Sequence, residues 1–338
     1  MKVAVTGATG FVGTNLVNIL ASEGHDVVAI DKAPNPRTDV RPNVTTVVGD
    51  ILDPAAMRAA LADVEVVYHL VAVITLAHRN EMAWRINTEG VRVVAQAALD
   101  AGVRRMVHCS SIHSYNQYSL VGDMNEQSVR SVDPALPVYD RSKYQGEVEL
   151  RAVVDQGLDA VICNPTAVIG PIDPVPMSRV NGILRDAARG RVPAFIRGGF
   201  DFVDVRDVAT GLVLAGEKGR TGENYLLGGH YHQLSDLVRA TARRCGRRGP
   251  MVTFPSSALS AVMPVVEPIS NALGSDVLTR ASLAALTESP TVDRRKAVTE
   301  LGHNPRPTDE TIGDFAAQLV SSGLLSRGAA THSQLVSA

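Results

Sequence analysis

A chain of 338 residues, 45% of them apolar, has the length for one large domain or two interlocked ones with a sizeable core. Its formal net charge of −2 gives no electrostatic reason to expect nucleic acid or an acidic membrane surface as a partner. The three cysteines, Cys109, Cys163 and Cys245, lie far apart with no CxxC pattern, so buried reduced thiols are expected rather than disulfides or a zinc site.

The chain begins directly in a strand, with no signal-peptide pattern, and cytoplasm is the expected compartment. Lys2–Thr6 is a short β-branched run, and Gly7, Gly10 and Gly13 follow at once. From Val12 an apolar helical period begins, through Leu16, Val17 and Leu20. A strand running into glycines that open a helix is the turn that receives a dinucleotide pyrophosphate. Gly7 permits the tight turn, Gly10 the approach of backbone to phosphate, and Gly13 the close packing of helix on strand. The helix N-terminus supplies free N–H groups and a positive dipole end to the anion.

Residues 27–30 predict a second buried strand ending at Asp31, about 20 positions beyond the glycine turn, where a carboxylate can accept both hydroxyls of an adenosine ribose. A 2′-phosphate would meet negative charge there, which favours NAD over NADP; Lys32 and Arg37 lie close by and weaken that preference. A strand over 44–48 ends at Gly49-Asp50, Asp53 and Pro54 start a helix over 55–62, and 64–70 is the next strand. The apolar run 68–77 contains His69 and is too short to span a bilayer. Helical spacing covers 84–101, a strand 105–109 ends at Ser110-Ser111, a helix covers 139–154, and a strand 158–163 meets Asn164-Pro165. Strands alternating with helices predict an α/β fold with a doubly wound parallel sheet, ligands lying at the strands' carboxyl ends.

Beyond Pro165 the alternation loosens. A proline-marked loop (Pro171, Pro174, Pro176) leads to a helix over 180–189, a strand over 202–205, a helix over 208–216 and a strand over 224–227. The remainder reads as mainly helical, over 234–245, 276–286, 293–301 and 308–319, with a proline-broken stretch at 257–273. Residues 326–338 have the small, polar composition of a frayed tail.

Tyr139 and Lys143 fall four apart on one helix face. A phenol with a pKa of about 10 is a poor base at neutral pH, and a neighbouring ammonium stabilises its phenolate. Ser111, at a strand end, can donate a hydrogen bond to a substrate oxygen held against Tyr139 while a hydride passes to or from a nicotinamide.

These motifs resemble the extended short-chain dehydrogenase/reductase superfamily, also called the NAD-dependent epimerase/dehydratase family. Thr6-Gly7-Ala8-Thr9-Gly10-Phe11-Val12-Gly13 is similar to its TGxxGxxG turn. Gly49-Asp50-Ile51, Tyr68-His69-Leu70, Asn87-Thr88-Glu89-Gly90, Ser110-Ser111, the Tyr139/Lys143 pair, Asn164-Pro165-Thr166 and the 202–209 stretch follow in the family's order. The resemblance implies that Gly7, Gly10, Phe11, Val12 and Gly13 cradle the cofactor and that Asp50 and Ile51 hold adenine. It implies that Leu70, Val71 and Ala72 line the cofactor, and that Pro165 and Thr166 face the nicotinamide. Asn87 would support the active site, while Tyr139 and Lys143 would contact the nicotinamide end, Lys143 through its ribose. It also implies a nucleotide domain of residues 1–165 plus about 200–228. A smaller, mostly helical substrate domain would comprise about 166–199 plus 229–325, and a homodimer would form through helices near 88–101 and 139–156.

Departures from the family narrow the function. Sugar-nucleotide dehydratases resemble one another in a Thr-Asp-Glu triplet where this chain has Ser111-Ile112-His113, so no acid pair is expected to expel a hydroxyl. Many epimerases carry Arg where this chain has Asp201, and the 198–202 context is closer to dihydroflavonol-reductase-like and hydroxysteroid-dehydrogenase-like members. His113 could touch substrate but is expected to be a solvated loop residue, and His230 and His232 loop residues with no third ligand for a metal. The expectation is therefore an NAD(P)-dependent oxidoreductase using Ser111, Tyr139 and Lys143 on a hydroxyl or carbonyl of a small or medium organic molecule. The alternative is an NDP-sugar epimerase with tightly bound NAD; a nucleotide-sensing regulator that lost catalysis is disfavoured by the intact triad.

Overall fold

A computed structural model describes residues 1–33, 41–120, 122–256 and 280–325. Arg37, the stretch 257–273, the first residues of the helix expected over 276–286 and the 326–338 tail lie outside the described residues.

The first strands are β1 (Lys2–Thr6), β2 (Asp26–Asp31), β3 (Val44–Val48), β4 (Val66–His69), β5 (Arg105–Cys109) and β6 (Ala160–Pro165). The later ones are β7 (Ala167–Ile169), β8 (Ala194–Ile196), β9 (Gly199–Asp204), β10 (Asn224–Leu227), β11 (His230–Gln233) and β12 (Val252–Phe254). Seven of them form one parallel sheet in the order β10-β6-β5-β4-β1-β2-β3. The order reverses between β1 and β4, and that switch opens a crevice at the strands' carboxyl ends. Central strands such as β4 and β6 are buried throughout, which is why they read as continuous apolar runs rather than alternating ones.

Helices α1 (Phe11–Ser22), α2 (Pro54–Ala60), α3 (Glu81–Asn87), α4 (Glu89–Asp100) and α5 (Val138–Val154) connect these strands. Asp53 caps α2, accepting from the amides of Ala55 (2.8 Å) and Ala56 (3.2 Å), with Pro54 at its first position. The single helix expected over 84–101 is two. At the break, the Thr88 hydroxyl donates back to the Trp84 carbonyl at 2.8 Å and the Asn87 side chain turns away to other partners. Met57, Leu61, Val94, Met106, Leu150 and Ile162 anchor the core on this face of the sheet. Each full burial of such a side chain contributes roughly 1.5–3 kcal/mol.

The later helices are α6 (Arg179–Ala188), α7 (Val205–Lys218), α8 (Leu234–Arg244), α9 (Arg280–Thr287) and α10 (Thr308–Ser321). The helix expected over 293–301 is present from 295, and five of its residues, Ala297–Leu301, form a π-helix ended by Gly302 at φ 83°. Among the described residues no helix is long and apolar enough to cross a membrane.

The chain divides into two compact units. The first comprises Met1–Thr166, Val205–Gly228 and Pro290–Pro305; it contains the seven-stranded sheet. The second comprises the described residues of Ala167–Asp204, Gly229–Ser289 and Arg306–Ala338. β9 therefore belongs to the second unit, where the sequence placed the return near residue 200, and 290–305 join the first. The second unit has the sheets β11-β9-β7 and β12-β8, with Leu184, Phe202, Leu237, Val238, Phe315 and Leu319 in its core. His230 and His232 lie on β11, opposite Phe202 and Phe200, and not in a loop. His232 Nε2 is 2.9 Å from Thr308 Oγ1. Among the described residues no group of three His, Cys, Asp or Glu is placed to hold a metal ion. The three cysteines are free and buried.

Candidate active site

The glycine turn lies between the carboxyl end of β1 and the start of α1. Gly7 is left-handed, at φ 72°, and a Cβ on it would lie 3.0 Å from the Val71 nitrogen just past β4. A Cβ on Gly13 would lie 2.0 Å from the Gly7 carbonyl oxygen, so α1 packs on the turn only because that residue is glycine. Gly10 is the N-cap, no side chain caps the helix, and its first turn has no acidic residue. The N-terminal amides around Phe11, Val12 and Gly13 are thus left without a capping side chain or an acidic residue in their own turn, the arrangement that suits a pyrophosphate.

Asp31 ends β2 beside this turn. Its Oδ2 accepts from the Thr9 amide (3.0 Å) and hydroxyl (2.6 Å), and its Oδ1 from the Lys32 amide (2.7 Å). Lys32 Nζ turns to Asp50, 3.0 Å from Oδ2. Asp50 Oδ1 accepts from the Leu52 amide at 3.0 Å, and that bond, helped by Lys32, holds its carboxyl below the usual carboxylate range. Ile51 is buried beneath. Leu70, Val71 and Ala72 follow β4 as a half-buried strip, with the Leu70 amide on the Thr6 carbonyl at 3.1 Å.

Ser111, Tyr139 and Lys143 are all buried, at the carboxyl end of β5 and on the first two turns of α5. The Ser111 hydroxyl accepts from the His113 amide at 3.2 Å and lies near enough to the Tyr139 phenol to favour its ionised form. Burial pushes the Tyr139 phenol well above its ordinary value, and the nearby Ser111 hydroxyl only partly offsets it. Burial also pulls the Lys143 ammonium down to about 8. Its Nζ donates to the Cys109 carbonyl at 3.0 Å. The phenolate expected from a neighbouring ammonium is thus not what these side chains favour by themselves: Tyr139 stands as a protonated donor.

Asn87 is buried and acts as a fastener. Its Oδ1 accepts from the Val73 amide (2.8 Å), while its Nδ2 donates to the Val73 carbonyl (3.0 Å) and to Ser142 Oγ (2.9 Å). Ser142 Oγ in turn donates to the Tyr139 carbonyl at 2.9 Å. Pro165 ends β6 and Thr166 follows it; Thr166 Oγ1 is buried with no hydrogen-bond partner among the described residues. The glycine cradle after β1 fits a dinucleotide pyrophosphate, and the unpartnered Thr166 hydroxyl lies just past the carboxyl end of β6.

Two groups escaped the sequence reading. His113 is not a solvated loop residue: it lies on a 3₁₀ turn, Ile112–Ser114, capped by Ser111. Its Nδ1 is 2.9 Å from the Oδ1 of Asp140, which is 1% exposed. Its ring is 5.3 Å from that of Tyr139. The expectation of a solvated loop histidine is therefore corrected. The second group is Glu147, fully buried, whose Oε1 accepts from Ser110 Oγ (2.6 Å) and Asn164 Nδ2 (2.8 Å) and whose Oε2 pairs with Arg130. Asn164 Nδ2 also donates to the Ser111 carbonyl at 3.0 Å, so this buried charge holds the Ser110-Ser111 corner in place. Glu147 continues the Tyr139/Lys143 stripe one turn on, a spacing that could have revealed it. Asp201 is buried, and its Oδ1 accepts from the Gly229 amide at 2.6 Å.

A model of the NAD dependent epimerase/dehydratase family matches residues 3–228. The chain is 32% identical over 335 residues to "Sterol demethylase protein B" of Methylococcus capsulatus, covering 96% of this chain and 100% of that protein. It is 27% identical over 307 residues to a 3-beta-hydroxysteroid dehydrogenase of Mycolicibacterium neoaurum, covering 80% and 81%. Among solved structures, that of gox2253 superposes with a TM-score of 0.82 at 33% identity, covering 95% of this chain and 98% of that one.

Proposed function

Because the chain belongs to the NAD-dependent epimerase/dehydratase family, we propose that it is an oxidoreductase interconverting a carbinol and a carbonyl of a small or medium organic substrate. The observation that carries this reading is the joint burial of Ser111, Tyr139 and Lys143 at the carboxyl end of β5 and the start of α5, with Lys143 Nζ held on the Cys109 carbonyl. Ser111 and Tyr139 make a place for one oxygen: Tyr139 donates or takes its proton, and Ser111 orients it. Lys143 and Asn87 fix that pair, through the Cys109 carbonyl and through Ser142. When bound, NAD supplies the hydride acceptor or, reduced, the donor.

In this reading Gly7, Gly10 and Gly13 with the amides of Phe11 and Val12 hold the pyrophosphate, Asp31 the adenosine ribose, and Asp50 and Ile51 the adenine. Leu70 to Ala72, Pro165 and Thr166 line the remainder. Two relatives that span most of the chain bear sterol or steroid names, which puts polycyclic alcohols and ketones first among substrates to try. Asp201 offers no cation to a sugar diphosphate and is engaged with Gly229, which weighs against the epimerase. The test is NADH absorbance with a panel of sterols, smaller alcohols, ketones and aldehydes, run beside UDP-, GDP- and TDP-sugars. Substrate-dependent change with the first panel is expected. Interconversion of two sugar nucleotides without net NADH change would assign the epimerase reaction instead.

A further inference from the structure

Transfer at one carbinol oxygen uses one acid–base group, and Tyr139 is that group; His113 with Asp140 is a second one, unused. The turn that carries Ser111 also carries His113, whose amide donates to Ser111 Oγ at 3.2 Å, so both side chains stand on one rigid support beside Tyr139. Asp140 is 1% exposed and 2.9 Å from His113 Nδ1; Gln117 Nε2, a donor 3.1 Å from the same nitrogen, makes no bond to it once that nitrogen gives its hydrogen to Asp140. A carboxylate on Nδ1 favours the tautomer with its hydrogen there, leaves the lone pair on Nε2, and stabilises the imidazolium once Nε2 takes a proton. Nε2 has no partner among the described residues, and the side chain is 25% exposed.

We propose that His113, backed by Asp140, is a second proton-transfer group that acts on the carbon next to the carbonyl held by Ser111 and Tyr139, so that the site enolises ketones bearing a hydrogen there. The proposal rests on the oxidoreductase reading for the position of the carbonyl. In the step, the C–H bond breaks and its proton goes to His113 Nε2. Its electron pair becomes the carbon–carbon double bond of the enol. The carbonyl π pair moves onto oxygen, which takes the Tyr139 proton. Reversal returns a proton from Nε2, by then exchanged with solvent, to carbon. No oxidant or reductant is consumed.

The experiment follows deuterium entering the α-carbon by NMR, with the protein, NAD⁺ and each ketone of the panel in D₂O. NAD⁺ cannot reduce a ketone, so exchange is read independently of NADH-linked reduction, which is measured separately on the same compounds. Exchange at least about tenfold above buffer is expected for ketones that bind, and His113→Gln and Asp140→Asn should lower the ratio of exchange to reduction by about tenfold or more. Exchange at the buffer rate for every ketone, or an unchanged ratio in His113→Gln, would overturn the proposal. A parallel fall of both activities would overturn it too, reducing His113 to a support for Tyr139. Reduction of no ketone, with exchange present, would instead sink the oxidoreductase reading and leave the enolising group standing. Should Asp140→Asn fail to fold, since its carboxylate is buried, His113→Gln at the part-exposed imidazole decides alone.

Discussion

At Tyr139 two effects compete, and burial outweighs the pull of the nearby Ser111 hydroxyl. The consequence is a phenol held protonated in the ordinary pH range, ready to donate to a carbonyl oxygen as hydride arrives. Tyr139→Phe removes one hydroxyl and leaves the ring and the turn of α5 in place. Turnover should fall by about 10²–10⁴-fold while cofactor affinity is retained; near wild-type turnover, with chemistry shown to be rate-limiting, would remove Tyr139 from the reaction. Lys143 carries a separate, measurable signature. Its folded value of about 8 lies below the ordinary 10.5, so between these two the unfolded chain binds more protons than the folded one. Stability owed to this group therefore rises with pH across that window, whereas below pH 8 both states are charged and the cost of burying the ammonium is present in full. Cys109, pushed up to about 11 by burial, acts with the opposite sign over part of the same range. The comparison of wild type with Lys143→Met separates the two: the difference in denaturation midpoint should shift steadily in favour of wild type between pH 8 and pH 10. A constant difference would mean that Lys143 is hydrated in the folded protein.

Among the elements, the neighbouring strands β4 and β5 stack His69 on His108 inside the sheet, ring centroids 5.4 Å apart. His69 Nδ1 lies 2.7 Å from Thr6 Oγ1, and burial draws its imidazole down to about 3. His108 has neither ring nitrogen satisfied among the described residues, and burial, with Lys143 adding to it, keeps it well below the usual value. Both are neutral in the fold, so the unfolded chain takes up more protons below about pH 6.5 and stability is lost as pH falls. His108→Leu removes two unpaired polar atoms from a buried strand. Urea denaturation at pH 7 should show a gain of about 1–3 kcal/mol, and the acid slope should flatten; a loss of stability would point to a buried water satisfying the ring. The strands themselves were readable from sequence because burial on both faces leaves unbroken apolar runs bounded by glycine and polar residues. The break between α3 and α4 was not, because Asn87 leaves the helical pattern for a backbone 14 residues away. Nor was the His113–Asp140 pair, whose members are 27 residues apart and carry no shared period. Tyr139 and Lys143 were visible because a helix repeats every turn, and Glu147 belonged to the same stripe.

For the molecule as a whole, the two units interleave along the chain, and residues 290–305 rejoin the first through a π-helix with no clear apolar period. The first unit contains every residue proposed to touch the cofactor, so cofactor binding should be read as stabilisation of the native chain, since a ligand that binds only the folded state adds RT ln(1 + [L]/Kd). That coupling offers a test of the adenine end that needs no substrate. Asp31 directs its carboxylate along the glycine turn, bonded to Thr9 and the Lys32 amide, and a 2′-phosphate brought beside it meets a charge of its own sign. Lys32 could counter that repulsion, but its ammonium is 3.0 Å from Asp50 and would have to leave that carboxylate uncompensated. NAD should therefore stabilise the protein more than NADP at equal concentration. A hundredfold difference in Kd, with both ligands well above saturation, would appear as about 2.7 kcal/mol in the unfolding free energy. Asp31→Ala should close most of that gap by strengthening NADP more than it weakens NAD, because the repulsion is lost along with the ribose acceptor. Equal or greater stabilisation of the wild type by NADP would show that Lys32 abandons Asp50 for the phosphate. The Asp50→Asn variant should then favour NADP further, since its lysine is already released.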